Sequence, residues 1–114
     1  MLIVEDDQGV IDAMRVLFES MDRRVAAAST LAGALRVARE DPARLVLLDV
    51  TLPDGDGLSI VGELQAAGCE TVIALTGHDD PETKARGLAA GCADVWVKPV
   101  PIRELLRKSQ QWLG

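Results

Sequence analysis

The sequence predicts an open α/β sheet, with five parallel strands joined by helices that cover both faces. Three observations carry this expectation. Five short apolar runs alternate with five amphipathic stretches along the chain. The runs are mostly continuous in apolar residues, as strands buried on both faces are. Four of the amphipathic stretches fall between successive runs, where parallel strands need a crossover, and the fifth follows the last run.

Taken in order, Leu2-Ile3-Val4 is the first strand, and it passes directly into Glu5, Asp6 and Asp7. Val10, Met14, Leu17, Phe18 and Met21 then share one helical face, with Asp7 in the position of an N-cap. Val25 to Ala28 is the second strand, alanine-rich and the least strand-like of the five. Leu31, Ala34, Leu35 and Ala38 mark the second helix, capped by Ser29 or Thr30. Leu45 to Leu48 is the third strand, and Leu58, Val61 and Leu64 mark the third helix. Thr71 to Leu75 is the fourth strand. The fourth helix, near Glu82 to Ala90, contains Gly87, at a cost of roughly 1 kcal/mol relative to alanine. Val95-Trp96-Val97 is the fifth strand, and Ile102, Leu105, Ser109, Trp112 and Leu113 mark the fifth helix. Gly68 and Gly91 stand where the third and fourth helices end.

No linker or low-complexity tract interrupts this alternation, so residues 1–114 read as one domain. Its tight ends fit a domain trimmed from a longer chain, and equally a compact free-standing protein. With 12 Lys+Arg against 18 Asp+Glu, the formal charge is −6, which argues against a nucleic-acid-coating surface. Aromatic residues are 3% of the chain, too few for a platform that stacks bases. No apolar stretch approaches the ~20 residues of a membrane span, and the acidic start is not a signal peptide. A cytoplasmic location is the expectation. Cys69 and Cys92, 23 positions apart, form no metal-binding pair and read as small buried thiols.

Open parallel sheets bind ligands beyond the carboxyl ends of their strands. There the first run ends in Glu5-Asp6-Asp7, the third in Asp49, the fourth in Thr76-Gly77-His78, and the fifth in Lys98-Pro99. An unpaired carboxylate at the end of a buried run costs several kcal/mol, so Asp49 needs a partner. A purely structural ion pair with Lys98 would supply one but leave Glu5 and Asp6 unexplained. A divalent cation accounts for all three acids. Mg²⁺ takes oxygen ligands and combines one or two carboxylates with phosphate oxygens. Lys98 and Thr76 would then address a phosphoryl group, and Asp49 is a competent nucleophile towards phosphorus.

With these elements in this order, the chain resembles the receiver domain of two-component response regulators. The resemblance rests on Glu5-Asp6 after the first strand, Asp49 after the third, and Pro53 with Asp56-Gly57 opening the next helix. Thr76 after the fourth strand and Lys98-Pro99 after the fifth complete it. It implies a flavodoxin-like (βα)5 fold with strand order 2-1-3-4-5. It implies that Asp49 is the phosphoacceptor, and that Glu5, Asp6, Asp49 and the Thr51 backbone carbonyl hold Mg²⁺. Thr76 would be the switch hydroxyl, Lys98 would contact the phosphoryl group, and the bond preceding Pro99 would be cis. The implied donor is a sensor histidine kinase or a histidine phosphotransfer protein. The parent chain is a hybrid histidine kinase, a longer regulator or the receiver alone, and a homodimer is compatible with each.

One departure stands out. Many receivers carry an aromatic residue three positions before the lysine, and here that position is Val95. Trp96 follows, but strand alternation points it to the opposite face. His78 reads as an exposed loop residue, and Asp54-Gly55-Asp56-Gly57 as a turn into a helix, since a calcium loop needs a later bidentate Glu. Two other readings compete with a phosphorylated signalling module. A receiver-like binding module that is never phosphorylated fits Val95 but not the intact acid–lysine set. An aspartyl phosphohydrolase usually carries an acid two residues after its nucleophile, where this chain has Thr51. The expected role is therefore signalling rather than enzymatic, with only self-phosphorylation and loss of the phosphoryl group.

Overall fold

Every apolar run becomes a strand, and the sheet register explains why these runs do not alternate. In the computed structural model, β1 (Leu2–Val4) lies between β2 (Ala26–Ala28) and β3 (Leu45–Asp49). Beyond β3 come β4 (Thr71–Thr76) and β5 (Asp94–Val97), giving the parallel order β2-β1-β3-β4-β5. Leu2 pairs with Ala26 and Val46, Asp49 with Leu75, and Thr76 with Val97. The structure describes residues 1–113. The side chains of Ile102 and Leu113, and all of Gly114, lie outside the described residues, and with them the places the spacing gives Ile102 and Leu113.

Five helices cover the two faces: α1 (Gln8–Glu19), α2 (Leu31–Glu40), α3 (Val61–Ala66), α4 (Pro81–Ala90) and α5 (Ile102–Leu113). Successive strand residues feed opposite cores. Leu2, Val4, Val46, Leu48, Val72, Ala74 and Val95 meet Ala34 and Ala38 of α2 and Val61 and Leu64 of α3. Ile3, Leu45, Leu47, Ile73, Leu75 and Trp96 meet Ile11 and Phe18 of α1 and Leu105 of α5. Burying each large aliphatic side chain contributes about 1.5–3 kcal/mol, so strand residues that are apolar on both faces stabilise both layers.

Local chemistry sets the helix starts. Asp7 accepts from the amides of Gly9 and Val10, Thr30 from that of Gly33, and Asp80 from that of Thr83. Of the two residues offered as the α2 cap, it is Thr30 that serves. With Asp80 as cap, Pro81 takes the first turn, where its missing N–H costs nothing. At the other end Gly91 closes α4 with φ 112°, a left-handed conformation that favours glycine.

Three local features differ from the pattern read in the sequence. α1 stops at Glu19, so Met21 lies beyond it, and Ile11 supplies the buried contact with Phe18. Arg23 N–H returns to Phe18 carbonyl at 3.1 Å and turns the chain away. The third helix is split, with a 3₁₀ turn at Gly57–Ile60 before the short α3. A two-residue ladder, Thr51–Leu52 with Gly55–Asp56, precedes that turn.

Candidate functional site

Because all five strands run parallel, their carboxyl ends share one rim, and that rim gathers the polar residues. Glu5 is 2% exposed, Asp49 5% and Thr76 2%. Two backbone bonds fix the geometry. Glu5 N–H donates to the Ala28 carbonyl at 3.0 Å, and Lys98 N–H donates to the Thr76 carbonyl at 2.6 Å.

The two buried carboxylates are satisfied in the same way. One oxygen of each accepts from a local amide: Glu5 Oε1 from Asp7 N–H at 3.2 Å, Asp49 Oδ1 from Thr51 N–H at 3.1 Å. The other oxygen of each accepts from Lys98 Nζ, at 2.8 Å to Glu5 Oε2 and 2.8 Å to Asp49 Oδ2. The ion pair considered between Lys98 and Asp49 therefore exists, and Glu5 shares it. A pair of this kind gains from low dielectric and loses to desolvation, so it is weak evidence of stabilisation by itself. What it does is hold two acids close around one ammonium.

The electrostatics follow from burial. Burial pushes the Glu5 carboxyl above its ordinary range, partly offset by its hydrogen bond with Lys98. Burial by itself would lower the Lys98 ammonium, but the hydrogen bonds with Asp49 and Glu5 outweigh it and raise its pKa. Lys98 is thus held charged.

Asp6 joins this group from the solvent side. Ligating oxygens of Glu5, Asp6 and Asp49 all lie within 4.8 Å of one another. Three carboxylates face a single ammonium, an excess of negative charge that matches one divalent cation. All the donors are hard oxygens, which suit Mg²⁺. The acidic site therefore fits the ion implied by the sequence.

The neighbouring residues complete the rim. Thr76 Oγ1 accepts from His78 N–H at 3.0 Å, which leaves the hydroxyl its own proton to donate. His78 itself is exposed. The Lys98–Pro99 peptide is cis. Gly57 packs directly beneath Asp49: its N–H donates to the Val50 carbonyl at 2.7 Å, and a Cβ there would lie 2.2 Å from the Asp49 carbonyl oxygen. Only glycine fits at that approach.

Val95 is buried on the α2–α3 face, and Trp96 on the α1–α5 face, as strand alternation requires. Val95 packs against α4. A Cβ on Gly87 would come within 2.4 Å of Val95 Cγ2, so α4 lies closer to β5 than any residue with a side chain at position 87 would permit.

Two contacts had no signal in the sequence. Asp54 accepts from the amides of Leu31, at 2.9 Å, and Ala32, at 3.3 Å, so the loop after β3 caps α2 from outside its own helix. Asp56, whose Oδ1 accepts from Leu58 N–H at 2.9 Å, also pairs through Oδ2 with Arg86 of α4. Both join residues more than twenty positions apart, and neither could be read from local spacing.

Comparison with known proteins agrees with this fold. The family model for the response regulator receiver domain matches residues 1–110. The transcriptional regulatory protein KdpE of Mycobacterium tuberculosis is 36% identical over 107 residues, which are 94% of this chain and 47% of that protein. The chain thus spans about half the length of the curated relatives it matches. Among solved structures, the beryllofluoride-activated receiver domain of RstA from Klebsiella pneumoniae has a TM-score of 0.89 at 27% identity, covering 98% of this chain and 96% of that one. The receiver domain of sensor histidine kinase PA1611 from Pseudomonas aeruginosa has a TM-score of 0.85 at 30% identity, covering 99% and 95%. That structure holds a magnesium ion in its active-site cleft.

Proposed function

The chain belongs to the response regulator receiver domain family of two-component signalling, and on that premise we propose that Asp49 accepts a phosphoryl group from a partner's phosphohistidine. The observation that carries the assignment is the position of Asp49. It ends the central strand β3, with one oxygen on the Thr51 amide and the other on Lys98, beside Glu5.

The chemistry is an in-line displacement. An Asp49 carboxylate oxygen attacks phosphorus as the N–P bond of the donor breaks, the electron pair leaves with the imidazole nitrogen, and an acyl phosphate forms. Glu5, Asp6, Asp49 and the Thr51 carbonyl are the proposed ligands of Mg²⁺, which when bound neutralises charge and polarises phosphoryl oxygens. Lys98 trades its contact with Asp49 Oδ2 for a phosphoryl oxygen, as a charge already placed beside the acceptor. Thr76 donates its hydroxyl proton to another phosphoryl oxygen, and water later hydrolyses the acyl phosphate. The domain switches its surface and has no other turnover.

The proposed donor is a sensor histidine kinase or a histidine phosphotransfer protein. Output belongs to the rest of a parent regulator or hybrid kinase, or to a partner of the free domain, and a homodimer is one arrangement that would transmit it. The −6 charge speaks against nucleic-acid contact by this domain. Among the described residues no helix is long and apolar enough to cross a membrane, and we place the domain in the cytoplasm.

The test is an intact mass after incubation with Mg²⁺ and a small-molecule acyl phosphate. One added phosphoryl group is expected, absent in Asp49→Asn and in the presence of a chelator. An adduct that survives Asp49→Asn would refute the assignment. Absence of both adduct and Mg²⁺ binding would favour a binding module that acts without phosphorylation.

A further inference from the structure

The structure ties α4 to the loop that follows the phosphoacceptor by a path that uses no aromatic ring. Arg86 leaves α4 and donates to Asp56 Oδ2. Asp56 Oδ1 at the same time caps the 3₁₀ turn through Leu58 N–H. The next residue, Gly57, bonds to the Val50 carbonyl and sits against the Asp49 carbonyl with no room for a side chain. Asp56 also pairs with Thr51 across the short ladder, and the Thr51 amide holds Asp49 Oδ1. Asp56 therefore ties α4 through its carboxylate, and its own backbone and that of Gly57 lead on to Asp49. The pair spans a cleft of about 370 Å³ lined by Thr51, Asp56, His78, Thr83 and Arg86.

Next to Arg86 on α4, Gly87 lies so close to β5 that a Cβ on the glycine would come within 2.4 Å of Val95 Cγ2. Residues 86 and 87 thus seat α4 from two directions, one on the loop and one on β5.

We propose that Arg86 is a positioning residue for the phosphoryl-transfer site. Acting through Asp56, it couples the seat of α4 to the placement of Asp49 and replaces the route that an aromatic residue at position 95 would provide. This rests on Asp49 as phosphoacceptor for its functional consequence, but the mechanical link stands on the contacts alone. The side chains of Arg86 and Asp56 are 50% and 44% exposed, so solvent screens the pair and bounds the effect at about two- to fivefold. Coupling of this kind is reciprocal.

The test is hydrogen exchange on the full chain, followed in peptides over 50–60 and 81–90, for the unsubstituted protein, Arg86→Ala, Asp56→Asn and the double variant. Asparagine keeps an oxygen for the Leu58 cap while removing the charge. Arg86→Ala is expected to raise exchange about two- to fivefold in 50–60, on the far side of the cleft, and Asp56→Asn to do so in 81–90. The double variant is expected to match either single one. Arg86→Lys is expected to restore part of the protection, and raised salt to bring the unsubstituted protein towards Arg86→Ala. Changes confined to the substituted element, or additive in the double variant, would overturn the link. With an acyl phosphate and Mg²⁺, the rate of adduct formation in Arg86→Ala is expected to change two- to fivefold, and an unchanged rate would refute the positioning role. If the unsubstituted protein forms no adduct, that failure belongs to the Asp49 assignment, and the exchange pattern decides the link alone.

Discussion

Glu5 and Asp49 are each held from two sides and buried, whereas α4 rests on one buried glycine and an exposed ion pair. α1, by contrast, anchors itself with Ile11 and Phe18, and α2 with Ala34 and Ala38. The difference separates two tasks. Chemistry needs groups fixed to within fractions of an ångström, which buried and doubly bonded side chains provide. A reporting element must move at modest cost, and segments with few buried apolar contacts open most readily. Both kinds of region occur within one small sheet, joined by the loop from Thr51 to Gly57.

The firm side should fail most severely when its packing is removed. Leu47 is fully buried in the middle strand, so Leu47→Ala is expected to lower unfolding free energy by about 2–5 kcal/mol, read from denaturant midpoints. A loss below 1 kcal/mol would mean that this core is not the rigid side of the molecule. Next in size, Lys98→Ala is expected to slow adduct formation about 100-fold, with circular dichroism confirming the fold. An unchanged rate would make Lys98 purely structural.

The soft side should break more gently and in a particular way. Gly87→Ala places a methyl group against Val95 and is expected to cost about 1–3 kcal/mol. Adding Val95→Ala should recover part of that loss, because the methyl group then has space. If the double variant is no better than the single, α4 is not seated on Val95. The last effect, absent at neutral pH, concerns Cys92, whose thiol burial pushes up to about 11 from 9.0. Its folded pKa lies above the unfolded one, so the stability it contributes is whole below pH 9.0 and is lost as pH rises through about 11. Slow alkylation of the folded protein at neutral pH, and rapid alkylation once unfolded, is the accompanying check.

Much of this architecture was legible in the sequence because a parallel sheet leaves a plain trace. Leu45 to Leu48 face apolar layers on both sides, so the run cannot alternate, and polar residues must appear where the strand leaves the core. That is why Asp49, Thr76 and Lys98 stood out. The limits have physical reasons as well. Val10 and Ile11 are adjacent and both apolar, and it is Ile11 that is buried in the cluster with Phe18 while Val10 stays half-buried. A 3₁₀ turn precedes the third helix where Gly57 closely approaches Asp49, a tertiary contact with no local pattern. An ion pair of Lys98 with Asp49 can be read from the charges at the strand ends as an alternative to a phosphoryl contact, but the second contact of Lys98 with Glu5 depends on side-chain reach across three strands. The bonds of Asp54 to α2 and Asp56 to Arg86 leave no local signal, because an exposed acid in a turn looks the same whether or not something distant reaches it.

Trp96 has a use beyond packing. The residue is 2% exposed, its indole N–H donates to Asp94 Oδ2 at 3.0 Å, and Lys108 lies 5.4 Å from the ring centroid. It stands one residue after Val95 and two before Lys98, between the soft region and the firm one. The only other indole, Trp112, is half-buried near the end of α5. The chain therefore carries its own optical probe. Trp96 should emit at short wavelength and resist quenching by iodide, so its emission separates from that of Trp112 and reports events at Lys98 without any attached dye.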